Sequence, residues 1–172
     1  MTDVLELQRL TLRPVSADDA DFLIAHWSDP VIRRFLFDAT PAVPDEIVAT
    51  IMESVRRFAS AGYGLWLIRL DGGGPPVGAV GLRPLEEVGV EVFYSLTPDS
   101  WSNGYATEAA GGVIDYALGK LGLAEIFAEV DGGNVASAAV IERLGMTPIA
   151  CIPGPLGPVT RYRMTRIEGC AQ

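Results

Sequence analysis

The chain has 172 residues, of which 49% are hydrophobic and 20% charged, and it carries a formal net charge of −9 at pH 7. That size fits one domain over residues 1–172 that buries roughly 70% of its unfolded surface. The acidic balance leaves no excess of Lys and Arg for phosphates, which excludes a nucleic-acid surface, and it is compatible with a cationic substrate such as an amine. No apolar run approaches the roughly 20 residues that span a bilayer. Asp3 and Glu6 precede Arg9 where a secretory leader would be basic and then apolar, so the expectation is a cytoplasmic protein without a membrane partner. One histidine, His26, excludes a His-rich metal site. Cys151 and Cys170 lack metal or redox spacing and are expected as free thiols, so no metal is predicted.

Gln8 to Arg13 alternates polar and apolar residues, a strand signal stopped by Pro14. Ser16, the acids Asp18 and Asp19, and then Phe22, Leu23 and Trp27 mark a helix that Asp29-Pro30 breaks. A short helical piece follows, Val31 to Phe35, and then the Pro-rich connection Thr40 to Pro44. Asp45 to Ala61 places Ile47, Ile51, Val55 and Phe58 at helical steps, with Gly62 just past its end. Strands Gly64 to Leu70 and Val77 to Leu82 flank the Asp71 to Pro76 turn, and Val88 to Leu96 is the fourth strand. Tyr105 to Lys120 is a helix with Ala109, Val113, Tyr116 and Ala117 on one stripe. Its Gly111 and Gly112 each cost about 1 kcal/mol relative to Ala, which predicts close packing against the sheet as compensation. Glu125 to Val130 is a strand, and a helix runs from Asn134 to just before Gly145. Strands Pro148 to Ile152 and Thr160 to Arg166 close the chain, joined by a Pro153 to Pro158 loop. The order β-α-α-β-β-β-α-β-α-β-β predicts a mixed α/β (α+β) fold with a largely antiparallel sheet of about seven strands and flanking helices.

The most informative stretch is Trp101-Ser102-Asn103-Gly104-Tyr105-Ala106-Thr107-Glu108-Ala109. Strand, small-residue turn and helix start are what backbone amides need to converge on an anion. Pro84 through Gly119 contains no Lys or Arg but six acids: Glu86, Glu87, Glu91, Asp99, Glu108 and Asp115. A phosphate here must therefore be held by first-turn N–H groups and the positive end of the helix dipole. Asn134-Val135-Ala136-Ser137 opens the next helix; read alone, Asn134 is an ordinary N-cap. Together the two stretches resemble the acyl-CoA site of the GNAT N-acetyltransferases, and the first is similar to the RimJ/RimL-like branch.

The resemblance covers nearly the whole chain and implies a GNAT-like fold with a splayed fourth and fifth strand. It implies acetyl-CoA as co-substrate, an amine acceptor and pairing into a homodimer. Cofactor contacts are then expected at Ser102, Asn103, Gly104, Tyr105, Ala106 and Thr107, and from the strand amides of Phe93, Tyr94, Ser95 and Leu96. Asn134 is expected at the pantetheine arm and Ser137 near the thioester sulfur. Trp101 replaces the general family's Gln or Arg, and Asn103 stands where the branch often has a basic residue. Arg143 could reach an outer phosphate or lie solvated on the surface.

The implied reaction is direct acyl transfer through a tetrahedral intermediate. It needs a neutral amine, a donor for the oxyanion and a way for the thiolate to leave. Glu91, in an apolar strand, is the candidate base because burial raises a carboxylate's pKa; the alternative is that it faces solvent or pairs with a neighbouring strand. Glu129 is the second choice, and Glu108 is read as a structural or dipole-stabilising acid. Where many relatives carry a Tyr acid, seven residues after the Asn, this chain has Ile141. The thiol, with a pKa of about 8.5, leaves fairly well unaided. Ser137 can hydrogen-bond the sulfur, with Tyr94 and Tyr162 as weaker candidates, and His26 is expected to pack beside Trp27. An α-amino group is neutral in about one molecule in ten at pH 7, a lysine amine in about one in a few thousand. Protein N-termini fit the branch, and polyamines or aminoglycoside-like amines fit the acidic charge. The acceptor groove is expected from Asp29 to Ala42 and the Pro153 to Pro158 loop. The competing function is a catalytically silent acyl-CoA-binding sensor.

Overall fold

A computed structural model describes residues 3–167. The expectation of a free thiol at Cys170 lies outside those residues; Cys151 is exposed. The chain runs β1 (Leu5–Glu6), β2 (Leu10–Pro14), α1 (Ala20–Ser28), α2 (Pro30–Arg33), α3 (Pro44–Ala61), β3 (Leu65–Leu70), β4 (Gly78–Leu85) and β5 (Gly89–Leu96), then α4 (Tyr105–Asp115), β6 (Glu125–Asp131), α5 (Val135–Arg143), β7 (Thr147–Gly154) and β8 (Gly157–Thr165). The eight strands form one sheet in the order β1-β2-β3-β4-β5-β6-β8-β7. It is the expected mixed architecture, and the additional strand, β1, is two residues long and too short to carry a period. No helix among the described residues is long and apolar enough to cross a membrane.

Every neighbouring pair of strands is antiparallel except β5 and β6. β4 and β5 stay paired from Gly78↔Leu96 to Leu85↔Gly89. β5 and β6 meet only at Glu91↔Phe127 and then part. The sheet is therefore open along the last five residues of β5. Strand alternation sends successive side chains of β5 to opposite layers. Val92 and Leu96 join the core under α4 and α5, with Tyr94 packed against it. Phe93 faces the second core, built by α1, α2 and α3 around Leu23, Trp27, Ile32, Ile47 and Ile51.

Three local expectations are corrected. The 105–120 helix is α only to Asp115; from Tyr116 to Lys120 it widens into a π turn, in which Leu121 N–H donates to Tyr116 O at 3.0 Å. A Cβ on Gly112 would stand 2.7 Å from Leu7 Cδ2, and one on Gly111 would stand 3.2 Å from Leu144 Cδ2. Those glycines admit side chains from the β1–β2 connection and the end of α5, not the sheet. The Pro153 to Pro158 loop is a tight hairpin: β7 and β8 remain paired to Gly154↔Gly157, leaving only Pro155 and Leu156 between them.

Candidate active site

The opening between β5 and β6 exposes backbone groups whose identity follows from the ladder. Thr97 N–H donates to Val77 O at 2.8 Å, which sets the phase of the β4–β5 pairing. Phe93 and Ser95 thus exchange their bonds with β4, and the alternate residues Tyr94 and Leu96 turn their N–H groups toward β6. Because β6 has already diverged, these two amides face open space. The Leu96 carbonyl is occupied, accepting from Trp101 Nε1 at 2.9 Å.

Trp101 thereby ties the following turn to the strand. Within the turn, Ser102 has φ 62° and Gly104 has φ 79°. The left-handed conformation at Gly104 comes without steric cost only for glycine. Asn103 Nδ2 braces the turn, donating to Trp101 O at 2.8 Å and Ser100 O at 3.2 Å. The first helical bond of α4 runs from Glu108 N–H to Gly104 O at 3.1 Å. The amides of Tyr105, Ala106 and Thr107 precede it and have no partner within the helix.

A groove of about 570 Å3 runs from the opening to this helix start. Its walls include Tyr94, Ser95, Leu96, Ser102, Gly104, Tyr105, Ala106, Thr107, Asn134 and Ser137, with Arg34, Phe35 and Leu36 on the α2 side. That volume, the free amides and the dipole's positive end suit a long ligand bearing a diphosphate. Phe93, Asn103 and Glu91 do not line it. A larger depression, about 810 Å3, lies near Asp115, Leu144 and Arg163. It sits toward the C-terminal, negative end of α4 and offers no helix start to an anion.

Cations reach the turn from outside the stretch that lacks them. Arg9 donates through its backbone N–H to Glu108 Oε1 at 2.6 Å and through Nε to Oε2 at 2.7 Å. Its Nη1 donates to Asn103 O at 2.8 Å, and its guanidinium lies 4.9 Å from the Tyr105 ring centroid. Glu108 is thus a structural acid that holds Arg9 against the turn. Arg143 lines the groove and donates to Thr107 Oγ1 at 3.2 Å. Arg9 lies 99 residues from Glu108, and no local pattern in the sequence announces the pair.

Asn134 Oδ1 accepts from Ser137 N–H at 3.1 Å, so Asn134 caps α5 while still lining the groove. Ser137 Oγ lies 2.8 Å from Tyr94 Oη. Burial pushes the Tyr94 phenol up to about 12, so it stays protonated at physiological pH. Ile141 is 1% exposed, in the core. The phenol that faces Ser137 therefore comes from the strand and not from α5. Tyr162 Oη donates to Glu142 at 3.2 Å; neither residue lines the groove.

Glu91 is 5% exposed and accepts from Arg83 Nε at 2.6 Å. Burial raises its pKa, and the neighbouring Arg83 opposes that rise. Glu129 is held by Arg161 at 2.7 Å and 2.9 Å. On the same layer, Ser95 Oγ accepts from Trp27 Nε1 at 3.1 Å and lies 2.9 Å from His26 Nε2. His26 stacks on Phe22 and Trp27 sits edge-on to Phe37, and the two residues meet at the Ser95 hydroxyl, bonds that have no signal in the sequence. No group of metal-ligating side chains occurs among the described residues.

Comparisons with known proteins identify the family and the fold. A family model described as "Acetyltransferase (GNAT) domain" matches residues 9–147. An uncharacterized N-acetyltransferase, p20, from Bacillus licheniformis is 27% identical over 145 residues, covering 83% of this chain and 81% of the relative. The crystal structure of an acetyltransferase from Agrobacterium tumefaciens str. C58 is 26% identical, covers 95% of both chains and superposes with a TM-score of 0.82. A RimL ribosomal L7/L12 alpha-N-protein acetyltransferase in complex with coenzyme A shares the fold, with a TM-score of 0.79 at 15% identity over 95% of this chain and 98% of that one.

Proposed function

Given that the chain belongs to the GNAT acetyltransferase family, we propose that it transfers the acetyl group of acetyl-CoA to a primary amine in the manner of the RimJ/RimL-like branch. The observation that carries this reading is the open edge of β5 running into the unpaired first turn of α4. The Tyr105, Ala106 and Thr107 amides hold the diphosphate, with Arg143 at its edge and Ser102, Asn103 and Gly104 shaping the turn. Asn134 orients the pantetheine arm, and the Tyr94 and Leu96 amides receive the thioester carbonyl.

Glu91 accepts the proton from the attacking amine through water. Its raised pKa and its place on the layer of β5 that faces α1 and α2 support that role. Burial raises the Tyr94 phenol and makes it a poorer proton donor to the thiolate than an ordinary tyrosine. Tyr94 instead polarises the Ser137 hydroxyl, which hydrogen-bonds the departing sulfur. The acceptor is an α-amine, supported by the larger neutral fraction of α-amines at pH 7. CoA release measured across N-terminal peptides, polyamines and lysine-containing peptides tests this. Turnover fastest with an α-amine is expected, and silence across the panel with CoA binding intact contradicts the transferase reading.

A further inference from the structure

We propose that the Ser95 hydroxyl is a fixed hydrogen-bond donor to the acetyl carbonyl oxygen, held in that role by Trp27 and His26, which fill both of its acceptor sites. This rests on the acetyl-transfer reading above. A serine hydroxyl has one proton to give and two lone pairs to receive with. Trp27 Nε1 can only donate, so its 3.1 Å contact occupies one lone pair. The second contact is His26 Nε2 at 2.9 Å, whose direction depends on the tautomer.

Surroundings of the ring choose the tautomer. His26 is 5% exposed and stacks on Phe22 with centroids 5.2 Å apart. Burial lowers its pKa to about 4, so it is neutral near pH 7 and carries one N–H. Nδ1 is buried with no hydrogen-bond partner among the described residues. An orphaned buried N–H is the rarer defect in folded proteins, and a bare lone pair there is the lesser one. The proton therefore resides on Nε2 and is donated to Ser95. With both lone pairs filled, the one proton of Ser95 is left for the groove, which Ser95 lines together with Tyr94 and Leu96.

In the reaction the amine nitrogen bonds to the carbonyl carbon and the C=O π pair moves onto oxygen. The Ser95 hydroxyl stabilises that charge and keeps its proton. When the C–S bond breaks, the pair returns and the sulfur leaves with its electrons. His26 and Trp27 are positioning residues; Ser95 is catalytic.

The chain has one histidine, so a long-range 1H–15N spectrum of labelled protein reports this ring without overlap. The Nε2–H tautomer is expected at pH 7, and the Nδ1–H tautomer overturns the proposal by making Ser95 the donor to His26. The second readout is the infrared stretch of 13C-carbonyl acetyl-CoA bound to the protein. Ser95→Ala is expected to weaken the red shift, Ser95→Thr to restore it, and an unchanged stretch in Ser95→Ala overturns the role. In turnover, Ser95→Ala should lower kcat about 100-fold with KM for acetyl-CoA nearly unchanged, as for other oxyanion donors. His26→Gln keeps an N–H in place of Nε2 and should stay within several-fold of wild type, whereas His26→Leu should fall with Ser95→Ala. Equal loss in both His26 variants overturns the positioning role, and if the leucine variant does not fold, the Ser95 pair decides. Failure of acetyl-CoA to bind sinks the transferase reading and the Ser95 role with it, while the tautomer measurement still decides the hydrogen-bond network.

Discussion

The two layers divided by β5 are built from different materials. On the α4 side the groove offers main-chain groups, the Tyr94 and Leu96 amides, the left-handed Gly104 and the first turn of α4, beside the side chains of Tyr94, Ser137 and Arg143. On the α1–α3 side the same strand presents side chains held in pairs, Glu91 with Arg83 at 2.6 Å and Ser95 with Trp27 at 3.1 Å and His26 at 2.9 Å. The turn at the start of α4 needs only local conformation, so the nine adjacent residues Trp101 to Ala109 can encode it. A side-chain site needs partners that meet through the fold, and Ser95 meets His26 across 69 positions. The two layers meet at the opening beside β6, where Ser95 lines the same groove as Tyr94, Leu96 and the start of α4.

Substitutions can break that division, and the largest effect is expected on the chemical face. Glu91→Gln should lower kcat by about 100-fold or more if the carboxylate takes the amine's proton. Arg83, whose side chain is 47% exposed, can turn to solvent, so the fold should survive. Ionised Glu91 is the active form, so activity rises with pH through a limb above the usual carboxylate value, and the variant should lose that limb. A wild-type rate and profile in the variant would reduce Glu91 to an ion-pair partner.

Gly104→Val should weaken CoA binding by about 100-fold, since a β-branched residue at φ 79° costs roughly 1–3 kcal/mol and pushes the turn open. Its Cβ would also meet Arg9 Nη2 at 3.2 Å. Calorimetry reads the affinity, and full affinity in a folded variant would detach the turn from the cofactor. Tyr94→Phe should lower kcat about tenfold with affinity for acetyl-CoA kept, as expected for the loss of one partly buried hydrogen bond. A change in KM alone would move Tyr94 from the leaving group to the cofactor. Arg143→Gln should weaken CoA only about fivefold, and the deficit should shrink as salt rises. A loss as large as that of Gly104→Val would make a side-chain cation, and not the backbone, the main holder of phosphate.

The same contrast explains what the sequence revealed. The Val88 to Leu96 pattern, the small residues around Gly104 and the Asn134 cap are local, and each element formed within a few residues of its expected position. Arg9 was invisible as a site residue because its partners Glu108 and Asn103 are distant in sequence. The strand pattern marks the Tyr94 amide as a cofactor contact but its phenol only as a weak candidate, because Ser137, which the phenol meets, lies 43 positions away. The strand pattern placed Glu91 near apolar neighbours correctly, but its side chain follows the alternation away from the groove and into a bond with Arg83. In the sequence Pro153 to Pro158 reads as a loop, yet β7 and β8 stay paired to Gly154↔Gly157 and tolerate its prolines and glycines at the end of a hairpin.

The central claim is that free main-chain amides at the start of α4 hold the coenzyme's diphosphate. The most direct measurement is a 1H–15N amide titration of the protein with coenzyme A. The largest shifts are expected at Tyr105, Ala106 and Thr107, with Tyr94 and Leu96 following along the open edge of β5. Shifts confined to the depression near Asp115 and Arg163, with the α4 start unmoved, would contradict it.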